Sequence, residues 1–109
     1  MKKGIQWLIF STITLTATLS EAQLTLKEAY KDAFKMGVAV NDAIVSGRDR
    51  ASQEIVVKQF NTITLENSMK AGLINPQPGV FNYGPADAYV EFGKKNNMFI
   101  IGHTLVWHT

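Results

Sequence analysis

Phe60-Asn61-Thr62-Ile63-Thr64-Leu65-Glu66-Asn67-Ser68-Met69-Lys70 changes character halfway along. Thr62 to Leu65 is short, apolar and β-branched, which predicts a strand. Glu66 to Lys70 is polar and predicts a loop at that strand's C-terminal end. Upstream, Ser52 to Phe60 has helical spacing, with Ile55, Val56 and Phe60 as its apolar side. Downstream, Asn75-Pro76-Gln77-Pro78-Gly79 is turn chemistry. Pro85 suits the first turn of a helix. Ala86 to Asn96 then carries Ala88, Tyr89 and Phe92 at helical spacing, and Asn97 can close it. Met98 to Gly102 reads as another strand.

The same alternation extends toward the N-terminus. Thr25 and Glu28 form a capping box three residues apart. Leu26, Ala29, Tyr30, Ala33 and Phe34 follow with helical periodicity, and Gly37 is a natural stop. Val38-Ala39-Val40 reads as a strand opening into polar Asn41-Asp42, and Ala43 to Arg50 reads as loop. Strands alternating with helices predict an α/β architecture with parallel strands. Three such units do not close a barrel, for which about 250 residues are usual. The expectation is therefore an incomplete (β/α)8 TIM barrel, about the first three β/α units. Such a piece alone exposes a sheet edge and apolar helix surface, so it is expected to be unstable or aggregation-prone.

Residues 1–22 read as a signal peptide. Lys2 and Lys3 supply a positive start, Ile5 to Leu19 is uncharged and mostly apolar, and Ser20-Glu21-Ala22 places small residues before a cut after Ala22. The uncharged stretch is shorter than the roughly 20 residues of a membrane span, so no membrane association is expected once the signal is removed. The expected location is secreted or periplasmic. The chain has no cysteine, which excludes disulfides and a lipid-anchored cysteine. A formal net charge of +2 gives no electrostatic reason to expect a nucleic-acid partner.

Chemistry-bearing side chains gather after the second and third strands. Strand two delivers Glu66, Asn67 and Lys70; strand three delivers His103, Trp107 and His108. In parallel β/α folds, strand C-terminal ends are where ligands bind. A carboxylate, an amide and a lysine can hydrogen-bond neighbouring hydroxyls, and an indole can cover a pyranose face. Each residue also has a bland reading. Glu66 and Lys70 could be solvated surface charges, Asn67 a cap or turn residue, His103 a hydrogen-bonded structural histidine, and Trp107 a core aromatic. A metal site built on His103, His108 and Glu66 is disfavoured, because residues five apart on an extended segment point to opposite faces. Neither a metal nor another cofactor is expected. Asp87 and Glu91, four apart on the last helix, read as a solvated face.

Three blocks give these odds a direction. They are Phe60 to Lys70; Pro78-Gly79-Val80-Phe81-Asn82-Tyr83 with Ala86-Asp87; and Gly102-His103-Thr104-Leu105-Val106-Trp107-His108. In this order and spacing the chain resembles family 10 glycoside hydrolases, the endo-β-1,4-xylanases, from about Leu26 to Thr109. The resemblance implies a (β/α)8 barrel, here residues 23–109 as its N-terminal part, that cuts xylan with retention and is monomeric at full length. It implies that Glu66, Asn67 and Lys70 bind xylose units on the non-reducing side of the cleaved bond, and that His103 and Trp107 line the adjoining subsite. His108 is expected to be structural or supporting. Retaining hydrolysis needs two carboxyl groups about 5–5.5 Å apart. In the family both are glutamates on later strands, so they are expected beyond Thr109 and the chain alone is expected to be inactive. Glu66 matches a binding position, not a catalytic one. Many members place tryptophan after the motif lysine, whereas Ala71-Gly72 follows Lys70 here. The competing reading is a non-catalytic carbohydrate-binding barrel protein; a complete small α/β domain of unrelated function is less well supported.

Overall fold

A computed structural model describes residues 23–106; the proposed signal segment, Trp107 and His108 lie outside the described residues. Three strands form one sheet in the order β1 (Gly37–Val40), β2 (Thr62–Leu65), β3 (Phe99–Ile101). Both pairings are parallel, with Val38 opposite Ile63 opposite Ile100. The chain's first helix, α1 (Leu26–Ala29), precedes β1. Helices α2 (Asp42–Val45) and α3 (Arg50–Gln59) connect β1 to β2. Helices α4 (Ala71–Ile74) and α5 (Gly84–Lys95) connect β2 to β3. Each strand lies beside its predecessor in the chain, the order of a barrel and not the reversal of a doubly wound sheet.

The sheet's alternation sorts side chains to two unlike faces. Val40, Ile63 and Leu65 are fully buried and pack with Val56 of α3, Tyr89 and Phe92 of α5, and Met98. Val38 and Ile100 pack against this core from the same face. The close approach of α5 is set by Gly93: a Cβ there would lie 2.5 Å from Ile100 Cγ1 and 3.2 Å from Ile63 Cδ1. On the opposite face, Phe99 is 58% and Ile101 41% exposed, and Gly37 and Ala39 are exposed beside them. A barrel turns this face inward to fill its interior; among the described residues Thr62 is buried on it, while Phe99 and Ile101 at its β3 edge stay exposed. The described residues therefore form the strands of three β/α units of a (β/α)8 barrel, with the helices of the first two, as an open parallel sheet.

Several local readings change. The first helix is one turn long, ending at Ala29 with Tyr30 as its C-cap, and none of its residues is buried. Its expected apolar stripe packs on itself, with Tyr30 and Phe34 stacked at 5.0 Å. The expected loop after β1 contains α2, because Asn41 Oδ1 accepts hydrogen bonds from the Ala43 and Ile44 amides and caps a helical turn. Ile55 is 59% exposed and does not belong to the apolar side of α3; Val56 does. On α5 the buried stripe is Ala86, Tyr89, Phe92 and Gly93, with Ala88 outside it. Ala71 and Gly72, which follow Lys70, open the short helix α4. Two expected helix signals hold, with Pro85 in the first turn of α5 and Asn97 following it with φ of 52°, but Gly37 stops no helix and instead opens β1.

Candidate functional site

The three strands end within one register position of one another, so their following loops share one edge of the sheet. The Glu66 amide donates to Val40 O at 2.9 Å, which extends the β1–β2 ladder one residue past the strands. That bond fixes where the polar loop begins. Asn67 to Lys70 then forms a turn, closed by the Lys70 amide donating to Asn67 O at 2.8 Å. Lys70 Nζ donates to Asn67 Oδ1 at 3.0 Å across the same turn. Glu66 and Asn67 are exposed, and Lys70 is half-buried. One compact turn thus presents a carboxylate, an amide and an ammonium group, which together can accept from and donate to adjacent hydroxyls.

The neighbouring loops meet this turn on both sides. From the β1 side, the Ser68 hydroxyl lies 2.8 Å from Asp42 Oδ1 and 2.6 Å from Oδ2. From the β3 side, a Cβ on Gly102 would lie 3.8 Å from Met69 Cε. Met69, Gly102, His103, Thr104 and Leu105 line a cavity of about 250 Å³. A further apolar cleft of about 310 Å³ continues past Met69, Thr104 and Leu105 to Tyr83. His103 is half-buried, and its peptide bond to Thr104 is cis. Of the residues singled out from sequence, the Glu66–Lys70 turn and His103 therefore sit on adjoining loops, with Met69 between them. Glu66, Asn67 and Lys70 do not line the His103 cavity. Trp107 and His108 lie outside the described residues. Asp87 and Glu91 are exposed on α5, with Glu91 accepting from Lys94 at 3.1 Å.

Tyr89 supports this edge from beneath. Its hydroxyl lies 2.6 Å from Ile63 O and 3.0 Å from Ile101 O, joining β2 to β3 just before their loops begin. The residue is fully buried, and that burial pushes the phenol above its ordinary range. Thr62 Oγ1 makes a similar link lower down, donating to Phe99 O at 2.9 Å. Sequence reading passed over Asp42, Ser68 and Met69 as chemistry-bearing residues. Asp42 sits directly after a strand, which was an available signal. Ser68 and Met69 are recognisable only once the loops are seen side by side.

Successive parallel strands in chain order, one helix-covered face and polar loops at the strand C-terminal ends are the features of a segment of a (β/α)8 barrel. The model of glycosyl hydrolase family 10 matches residues 25–109, and the chain belongs to that family. It is 49% identical over 84 residues to an endo-1,4-beta-xylanase/feruloyl esterase of Xylanibacter ruminicola, a match covering 77% of this chain and 11% of that protein. It is 45% identical over 84 residues to a beta-1,4-xylanase of Dictyoglomus thermophilum, covering 77% of this chain and 23% of that one. Among solved structures, a GH10 endoxylanase retrieved from a sugarcane soil metagenome superposes with a TM-score of 0.74 at 39% identity, covering 80% of this chain and 26% of that chain. Xylanase 10B of Thermotoga petrophila RKU-1, in complex with xylobiose, superposes with a TM-score of 0.72 at 35% identity, covering 79% and 27%. The chain thus spans roughly a tenth to a quarter of the length of these relatives.

Proposed function

We propose that this chain supplies the sugar-binding loops of an endo-1,4-β-xylanase whose substrate is xylan or its oligosaccharides. Glu66, Asn67 and Lys70 hold xylose units, and His103 and Trp107 line the subsite next to the cleaved bond. The observation that carries this reading is the meeting of the Glu66–Lys70 turn with the His103 loop on the strand-end edge of a family 10 barrel segment. The donor and acceptor set there suits vicinal hydroxyls, and the half-buried Met69 with the exposed Leu105 beside it offers apolar surface to a ring face. The acid/base and nucleophilic glutamates come from strands beyond these three. The reaction itself, protonation of the leaving oxygen and attack on the anomeric carbon, belongs to those groups. Residues 1–22 direct export to the medium or periplasm, and the full-length enzyme acts as a monomer.

Reducing-sugar release from xylan tests the proposal on two proteins. The 109-residue chain is expected to release none, and the full-length product of the gene to release xylo-oligosaccharides. In the full-length protein, Glu66→Gln is expected to raise KM for xylotriose by about tenfold, the equivalent of losing one hydrogen bond to a charged group. Binding of xylotriose without cleavage would instead favour a non-catalytic carbohydrate-binding barrel. Hydrolysis by the 109-residue chain alone would overturn the assignment of catalysis to later strands.

A further inference from the structure

Asp42 and Ser68 belong to different β/α units, 26 positions apart, yet they make a direct side-chain link between the first two strand-end loops. Asp42 opens α2, whose position is fixed independently by the Asn41 cap and by Ile44 and Val45 packing on the core. The carboxylate is therefore held from behind. Ser68 occupies the second position of the Asn67–Lys70 turn, whose first and last side chains meet at 3.0 Å. The turn's ends are tied by Glu66 N to Val40 O and by the start of α4, and its tip is tied by Ser68 to Asp42. Both carboxylate oxygens lie within 2.8 Å of the hydroxyl, so Ser68 can donate to either.

We propose that Asp42 and Ser68 are positioning residues: they hold the Glu66–Lys70 turn in the geometry that receives xylose, without touching the sugar themselves. The inference rests on the function proposed above. It explains why a serine stands in the middle of a block whose outer residues do the binding. It also makes the first β/α unit, which presents none of the candidate contact residues, part of the binding machinery.

The test measures xylotriose affinity and xylan kinetics of the full-length product of the gene. Ser68→Ala is expected to weaken xylotriose binding and raise KM by about tenfold with kcat retained, as expected for loss of a hydrogen bond to a charged acceptor. Asp42→Asn, which keeps the shape but weakens the acceptor, is expected to have a smaller effect of the same kind. Ser68→Thr, which keeps the hydroxyl, should restore near-native affinity, and the Ser68→Ala/Asp42→Asn double variant should be no worse than the poorer single one. Glu66→Gln serves as the reference for the function itself. If Glu66→Gln weakens binding while Ser68→Ala binds like the wild type, the positioning role is wrong and the function stands. If Ser68→Ala lowers affinity but Ser68→Thr does not rescue it, or if both singles add in the double variant, the role is likewise overturned. If neither the wild type nor Glu66→Gln responds to xylotriose, both the function and the inference fall.

Discussion

Tyr89 shows how one side chain can hold a site it does not line. A phenylalanine at position 89 would fill the same space but leave Ile63 O and Ile101 O without the hydroxyl that joins them. Tyr89→Phe is expected to cost about 1–3 kcal/mol, the usual penalty for orphaning a buried polar group. Urea unfolding at neutral pH measures it. The raised phenol also sets an alkaline limit. The folded state holds the proton more tightly than the unfolded chain, whose ordinary value is 10.0. Its contribution is therefore present below that value and lost as pH rises through the folded one. The stability difference between wild type and Tyr89→Phe should shrink above about pH 10. Gly93 is the complementary case of a required absence. Gly93→Ala drives a Cβ into Ile100 and Ile63, for an expected loss of about 1–3 kcal/mol from overpacking. The tyrosine was readable as a helix-stripe residue, but its two carbonyl partners were not, because strand pairing is invisible to a single helix pattern.

At the scale of elements, caps were more legible than lengths. The Thr25–Glu28 box is present: the Thr25 amide donates to Glu28 Oε2 at 2.9 Å and its hydroxyl at 2.6 Å. The Thr25 hydroxyl and amide hold the Glu28 carboxyl below its ordinary 4.5. That sign means the cap's contribution is present above about pH 4.5 and is lost as pH falls through the folded value. Glu28→Gln should therefore lose less stability than wild type between about pH 5 and pH 3, as followed by circular dichroism. Helix α2 was missed because Asn41-Asp42 suits a polar loop as well as an N-cap, and only the packing of Ile44 and Val45 decides between them. Asn41→Ala is expected to cost about 0.5–2 kcal/mol in the same assay. The strands and their parallel order were legible, since β-branched runs separated by helical stripes leave little alternative. The extra turns α2 and α4 were not, because four residues carry too little periodicity to register.

The whole molecule is an open sheet with one finished face and one unfinished one. Phe99 and Ile101 project from the bare side, and β1 and β3 each pair on one side alone among the described residues. The 109-residue chain is expected to self-associate and to bind a hydrophobic dye. Phe99→Ser with Ile101→Thr should lower both signals in light scattering and fluorescence. The barrel class was legible because the order of motifs along the chain is also the order of strands across the sheet. The candidate site was legible as separate blocks, Glu66–Lys70 and His103, but not as one surface: Met69 and the Asp42–Ser68 link join them only in three dimensions. The central claim is that these loops hold xylose units. A crystal structure of the full-length product of the gene with xylotriose tests it most directly. The sugar is predicted to lie within hydrogen-bond distance of Glu66, Asn67 and Lys70, with one ring approaching His103. Xylotriose bound elsewhere, with those four side chains free of it, would contradict the account.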